Sequence, residues 1–382
     1  MMMARSRDVS LEEFEPRRAW GGFKSGVSLH AHTHHSREIM ADLPAYILKI
    51  PVVAAIFERE LESYAARTGD PIDFSKGWWH PPVSPREVFD GEATQIEQRF
   101  GLAPLVSITD HDNVTANVEL QDMYAERCAP ISFEWTVPYR RGYFHLGVHN
   151  LPSHSVAEWF YRLSAFTARP DNEPLDELFE DLNALRDVLI VFNHPCWDLA
   201  TVGAQAHDSA LAAFLKDYGR HVHALEFNGY RSRRENNRVR ALASETGLPV
   251  ISGGDRHGCA VNAVVNLTAA RSFGEFANEV RDGVSHVVVM PEYRQHLVAR
   301  TMACAADVLR RYPWFPPDRQ HWTGRVSCLT EGSVHPLSFH WPEGGPLWVR
   351  SAITTFQVLA SPLVLPILTV ALNKVDPGGV GA

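Results

Sequence analysis

Hydrophobic residues along this chain fall in short blocks that alternate between two spacings. Residues 26–29, 105–108, 131–133, 143–148, 188–192, 224–227, 249–251, 264–267 and 286–290 form brief runs rich in β-branched and aromatic residues, and read as strands. Helical patterns lie between them. Ser84-Pro85-Arg86-Glu87 opens one, with a capping box and proline at the first helical position. Ser155-Val156-Ala157-Glu158 opens another. Residues 174–186 and 234–246 are two more, the second stopped by Gly247. This alternation predicts parallel β/α architecture, and the number of strands suggests a barrel-like closure rather than an open sheet.

Two stretches break the rhythm. Residues 42–82 form a long insertion after the first strand, with an apolar helix over 52–67 and a Gly77-Trp78-Trp79-His80-Pro81-Pro82 turn. Insertions of that length act as lids or are plain surface excursions. From residue 294 the β/α pattern stops: 294–311 is helical, and 312–346 is irregular and rich in proline and tryptophan. The expected division is therefore an N-terminal segment 1–25, a barrel over 26–293, and an extension over 294–382.

The far end is distinctive. Residues 351–373 carry no charge and are flanked by Arg350 and Lys374. That length can span a bilayer, which leaves membrane association through 351–373 open. Pro362, Pro366 and Gln357 argue instead for a buried or partner-covered segment.

Charge narrows the function. The 382 residues carry a net charge of −9, which argues against a long nucleic acid as partner because that requires a basic surface. The five cysteines are widely spaced and include no Cys-x-x-Cys pair. They fit thiols in a reducing compartment, hence a cytoplasmic protein.

Candidate chemistry collects at the ends of the strands. Ser28-Leu29-His30-Ala31-His32-Thr33-His34-His35-Ser36 follows the first one. Side chains repeat with period two along a strand, so His30 and His32 point the same way, as two ligands of one metal do. Thr109-Asp110-His111-Asp112 follows 105–108, and Glu134 follows 131–133. His145 lies in 143–148 with His149 beyond it. Asn193-His194-Pro195 ends 188–192, and Ser252-Gly253-Gly254-Asp255-Arg256-His257 follows 249–251. The C-terminal rim of the strands is where β/α enzymes assemble their sites. One histidine there is unremarkable. Six strand ends supplying imidazoles and carboxylates point to two or three metals.

In combination and order these motifs resemble the PHP (polymerase and histidinol phosphatase) family, over about residues 26 to 290. The resemblance implies a distorted seven-stranded β/α barrel and metal-dependent hydrolysis of phosphate esters through a metal-bound hydroxide. It implies that His30, His32, Glu134 and Asp255 hold one metal. Glu134 would bridge to a second, held also by His145 and His194, and His111 and His257 would serve a third. The catalytic residues would be Asp255, as proton acceptor, with Glu134 and His257. Zinc, manganese and iron all suit such a set of two or three divalent ions. One departure stands out: where the family carries a further ligand, Ser36 is followed by Arg37. Either Glu38, His35 or Asp42 substitutes, or the third metal is weak.

Arginine recognises phosphate bidentately, and Arg37, Arg231 and Arg256 are the candidates for holding a substrate phosphate. The expectation is a phosphoesterase acting on a small phosphorylated molecule or short nucleotide. The alternatives are a metal-dependent hydrolase of an amide or lactone, and a non-catalytic metal-binding module tethered by its tail.

Overall fold

The computed structural model describes residues 9–41, 44, 51–69, 71, 73–124, 129–170, 174–330, 333–339, 341–342, 344–367 and 369–370. Asp42 and the end of the apolar tail, 371–373, lie outside the described residues. The chain forms two compact units. One comprises Met1–Ser36, Val83–Ala305 and Ala360–Ala382, the other Arg37–Pro82 and Ala306–Leu359.

In the first unit the strands are β1 (Val9–Glu13), β2 (Ser25–Ser28), β3 (Ala103–Val106), β4 (Ile131–Tyr139), β5 (Gly142–Leu151), β6 (Leu189–Phe192), β7 (Ala224–Asn228), β8 (Val250–Gly253), β9 (Val264–Thr268) and β10 (Ser285–Val289). They build two five-stranded sheets, in the orders β1-β10-β9-β2-β3 and β8-β7-β6-β5-β4. The helices are α1 (Pro85–Phe100), α2 (Thr115–Met123), α3 (Val156–Ala168), α4 (Leu175–Ala184), α5 (Ala204–Tyr218), α6 (Arg233–Thr246) and α7 (Phe273–Arg281).

The alternation of strand and helix is as the sequence pattern predicts, but the sheets are mixed rather than parallel. The β2–β3, β6–β7, β7–β8 and β1–β10 pairs are parallel. The β4–β5, β5–β6, β2–β9 and β9–β10 pairs are antiparallel. The clearest cause is the link between β4 and β5. Tyr139 pairs with Gly142, so only Arg140 and Arg141 lie between the strands, and a connection that short can only fold back on itself.

Local signals set the helix ends. Ser84 Oγ accepts the Glu87 backbone N–H at 3.2 Å, and Glu87 Oε2 accepts the Ser84 N–H at 2.8 Å, closing the expected capping box of α1. Ser155, expected to open a helix, precedes α3 and makes no side-chain cap bond. Gly247 ends α6 in a left-handed conformation at φ 73°. The main core packs Phe133, Trp135, Leu163, Phe179, Phe192 and Phe214, all fully buried, between the second sheet and its helices.

The second unit joins the insertion to the extension. Its four-stranded antiparallel sheet runs Ser333–Pro336, Val326–Thr330, Gly77–Trp79, Glu38–Ile39. The Gly77-Trp78-Trp79 segment expected as a turn is thus a strand, and part of the expected irregular region is its partner. The helix predicted over 52–67 is present as Pro51–Thr68. Leu347–Leu359 is helical, with Leu347, Trp348 and Val358 at least half exposed. No helix among the described residues is long and apolar enough to cross a membrane.

Candidate metal centre

His30, His32, His111, Glu134, His145, His194, Asp255 and His257, all singled out near strand ends, come together in the first unit. The hinge is Glu134 in β4, fully buried. Its backbone N–H donates to Asp110 O at 3.2 Å and its carbonyl accepts from Asp112 N–H at 2.9 Å. A bridge between His111 and Glu134 thereby ties the end of β3 to β4, and a second bridge, Ala31 to Arg256, ties the end of β2 to that of β8. The two sheets meet through these residues, and the imidazoles project there.

Glu134 lies among five of them. Its Oε1 is 3.2 Å from His145 Nδ1 and 3.1 Å from His194 Nε2, and accepts Asn193 Nδ2–H at 2.9 Å. Its Oε2 is 3.2 Å from His30 Nε2, 3.1 Å from His111 Nδ1 and 3.5 Å from His32 Nε2. Asp255 forms a second pole. Its Oδ1 is 3.6 Å from both His30 Nε2 and His32 Nε2, and 3.5 Å from His257 Nδ1.

Among the described residues four groups emerge whose ligand atoms all lie within 4.8 Å of one another: His30, His32 and Asp255; His30, Glu134 and His194; His111, Glu134 and His145; and one whose members in the first unit are His32, His111 and His257. The last group keeps His111 with His257, as the resemblance implied, while the others divide the remaining ligands differently. His111 joins His145 across Glu134, and His30 is shared by two groups. His257 stacks its ring on His32 at 4.2 Å between centroids, and His32 stacks on His111 at 4.6 Å.

The donors fit divalent metals. Imidazole nitrogens and carboxylate oxygens are the ordinary ligands of zinc and its neighbours. His145 Nδ1 is buried without a hydrogen bond although a carboxylate oxygen is 3.2 Å away, so its lone pair or proton is aimed elsewhere. Strain collects here as well. His30, His194 and Asp255 adopt φ values of 61°, 27° and 52°, a left-handed region uncommon outside glycine. Such conformations persist where the surroundings enforce them, and they cluster at functional sites.

Electrostatics are strongly coupled. Burial alone would lower the His30 pKa, yet the carboxylates of Glu134, Glu226 and Asp255 hold it well above its ordinary value. Burial would raise Glu134, but His30, His145 and His111 hold it well below the usual carboxylate range. Asp255 is likewise pulled down against its burial by His30, His32, His257 and His194. At His145 burial prevails over Glu134, and the pKa falls. The negative charge of the carboxylates is therefore balanced by a shared protonated imidazole. Bound cations would take over that role and release protons.

Residues outside the ligand set hold the ligands. Glu226, in β7, is 1% exposed. Its Oε1 meets His30 Nδ1 at 2.5 Å, and its Oε2 accepts the backbone N–H of His194 and the Asn228 Nδ2–H, both at 2.8 Å. Asn228 also donates to Asp255 Oδ2 at 3.2 Å. Asp110 accepts the Thr33 N–H at 2.6 Å and the Thr33 hydroxyl at 2.7 Å, clamping the loop after His32. A lone glutamate inside the apolar run Ala224-Leu225-Glu226-Phe227 was the signal for the first of these. His149 is buried away from the ligand groups. It hydrogen-bonds Ser107 Oγ at 2.8 Å, and burial pushes its pKa down to about 3.

The three arginines part company. Arg231 sits at the centre: its Nη2 is 3.8 Å from Asp255 Oδ2, its guanidinium lies 3.2 Å from the Trp197 ring centroid, and its buried Nε lacks a hydrogen-bond partner. Trp197 in turn packs on His194. Arg256 corrects the expectation of a phosphate contact. It is buried, and its three nitrogens donate to Glu92 Oε1 at 2.8 Å and to the carbonyls of Gly258 and Cys259 at 3.0 Å each. Asp255 thus faces the imidazoles while Arg256 faces Glu92. Arg37 belongs to the second unit, where it is exposed, with its guanidinium 5.7 Å from the Trp78 ring centroid. It lies over an indole there. Of the suggested replacements, His35 pairs with Glu119 at 3.0 Å, and Glu38 is a buried residue of the second unit.

Fold and site together define an α/β protein with mixed sheets and buried histidine–carboxylate clusters able to coordinate divalent metals. No family model matches the sequence, and no curated protein does either. Among solved structures the chain is similar to an amidohydrolase from Chromobacterium violaceum, at 16% identity over 47% of this chain and 84% of that one, with a TM-score of 0.33. It is similar to a two-domain protein containing a predicted PHP-like metal-dependent phosphoesterase from Bacteroides vulgatus, at 11% identity over 74% and 68%, TM-score 0.36. A third is PsfC from Pseudomonas syringae, at 13% identity over 72% and 96%, TM-score 0.40.

Proposed function

We propose that this chain is a metal-dependent hydrolase of phosphate esters, acting on a small phosphorylated molecule or a short nucleotide. The observation that carries the reading is a cluster of ligand groups with shared members, two of which share one buried carboxylate. Glu134 belongs to two groups and His30 to two, which would set neighbouring metals close together. Ions so placed supply Lewis acidity, a more acidic water, and charge to clamp phosphoryl oxygens. The bridges from His111 to Glu134 and from Ala31 to Arg256 support a barrel-like ring of strands β2 to β8 around this centre.

The remaining work falls to the chain. Asp255, held ionised by the imidazoles around it, is the acceptor for a proton leaving the attacking water. Arg231 offers N–H donors beside it, stiffened by its stack on Trp197. A fixed guanidinium suits a tetrahedral phosphoryl group better than an amide or lactone carbonyl, and on this point the phosphoester reading is preferred. His257 stacks on His32 and keeps that imidazole in orientation.

The test couples elemental analysis to a panel of phosphate esters, after chelation and reloading with zinc, manganese or iron. Phosphate release should vanish on chelation and return on reloading. Glu134→Gln should lose at least one metal, and turnover should fall by more than about a hundredfold. Unchanged turnover of Glu134→Gln at full loading, or full loading with no phosphate released from any ester, would count against the reading.

A further inference from the structure

A cavity of about 290 Å³ lies between the tip of the β4–β5 hairpin and the segment that leads into α5. It contains none of the ligand residues, and nothing described above uses it. Its size is at the lower end for small-molecule sites. Tyr139, Phe144 and Val202 contribute aromatic and apolar walls, and its cationic residues are Arg140 and Arg141.

The charges there are unbalanced. Asp198 also lines the cavity, but its carboxylate is engaged by the segment's own backbone, accepting the N–H of Val202 at 3.0 Å and of Gly203 at 2.7 Å. Arg140 donates weakly to the Ser209 carbonyl at 3.4 Å and lies 5.5 Å from the Tyr139 ring centroid. Among the described residues no carboxylate pairs with Arg140 or Arg141. Two adjacent cations without counterions, on a chain of net charge −9, form a local attractor for an anion.

The backbone around the cavity is strained on both sides. Arg140 occupies the first central position of a two-residue turn at φ 55°, where glycine, asparagine or aspartate is normal. Across from it Thr201, a β-branched residue, adopts φ 50°. The cavity also adjoins the metal centre. Tyr143 lines it and packs its ring 5.4 Å from that of His145. Asp198 follows Trp197, which packs on His194. At roughly 3.4 Å per residue, Arg141 is about 14 Å along the strand from His145, a gap that an arginine side chain and a bicyclic ligand close together.

We infer that this cavity receives the organic part of the substrate, an aromatic ring bearing a second anionic group, which Arg140 and Arg141 hold. The inference rests on the phosphoester reading only for the bond that is cleaved.

Two measurements on the full chain separate the ideas. The first compares 2-naphthyl phosphate with 6-carboxy-2-naphthyl phosphate on the metal-loaded protein. The carboxylated ester should be favoured about tenfold in kcat/KM, and the ratio should fall to about one in R140A/R141A. A ratio of one in the wild type, or a ratio kept by the double variant, overturns the assignment. The second is a fluorescence titration with 6-hydroxy-2-naphthoate, which needs no bond cleavage. Arg140→Gly relieves the left-handed strain, so it should raise Tm and still weaken naphthoate binding. Equal binding by wild type and Arg140→Gly removes the arginine from the site. If naphthoate binds as expected but neither ester is hydrolysed, the phosphoester reading fails and the cavity stands. If both esters are hydrolysed alike and binding ignores the substitutions, the cavity alone fails.

Discussion

Glu226→Gln tests the metal centre without touching a ligand. The wild-type carboxylate meets three donors: His30 Nδ1 at 2.5 Å on one oxygen, and His194 N–H and Asn228 Nδ2–H at 2.8 Å on the other. Glutamine keeps the shape but has one acceptor oxygen and one NH₂. If the amide nitrogen faces His194 and Asn228, two buried donors lose their acceptor, and each loss costs about 1–3 kcal/mol of stability. If the amide flips, its NH₂ faces His30 Nδ1. That nitrogen must then accept, and the proton moves to Nε2, the nitrogen turned toward Glu134 and Asp255. A protonated Nε2 cannot ligate, and metal affinity falls. Loss of such an outer partner typically weakens metal binding about 10- to 100-fold, or about 1.4–2.7 kcal/mol. The variant takes the cheaper orientation, so both quantities must be followed. A competition titration against a chromogenic chelator gives the affinity, and urea unfolding of the metal-free protein gives the stability. The reasoning is refuted if affinity stays within about twofold and stability within about 0.5 kcal/mol of wild type.

Two further expectations follow from buried groups outside the ligand set. Arg256→Gln breaks a buried ion pair and strands Glu92, so urea unfolding should show a loss of about 3–5 kcal/mol; a loss below about 1 kcal/mol with a raised KM would return Arg256 to the substrate. His223 accepts the Ile190 N–H on Nδ1 at 2.9 Å and bonds Asn183 Oδ1 through Nε2 at 2.7 Å, and burial pushes its pKa down to about 3. Its folded pKa is below the unfolded value near 6.5, so the unfolded chain binds the extra proton; stability is full above pH 6.5 and falls toward pH 3. At pH 5 the loss is about 2 kcal/mol, and His223→Gln should flatten that part of the profile, whereas an unchanged pH slope would assign the acid sensitivity elsewhere.

Much of the candidate site could be read from the sequence because its signals are local. An imidazole or carboxylate at the end of a short apolar run needs only the period of a strand to be placed, and His30, His32, His111, Glu134, His145, His194, Asp255 and His257 are brought together on that basis. What the sequence hid depends on direction or distance. Arg256 was a candidate for the substrate because arginines near the rim suit phosphate, but its ion-pair partner Glu92 lies 164 positions upstream and draws it into the interior. Glu226 passed as an ordinary strand residue, since a buried partner for it lies nearly two hundred positions upstream. The mixed sense of the sheets escaped a rule that equates alternation with parallel strands, although the two-residue link at Arg140 and Arg141 was visible. The sheet of the second unit was invisible for a related reason: Gly77–Trp79 has no strand-like alternation, and pairs with residues about 250 positions later.

That last pairing bears on how the protein is made. At about 5–20 residues per second, the ribosome finishes Gly77-Trp78-Trp79 some 12–50 seconds before it delivers Val326–Cys328. For that interval a nascent chain carries a tryptophan-rich edge with no strand to cover it, and closing so long a loop afterwards is entropically slow. Glu38–Ile39 is the one strand of that sheet already synthesised, and it is two residues long. The yield of folded protein should therefore depend on what shields those two indoles during synthesis, and a slower ribosome would lengthen the exposure.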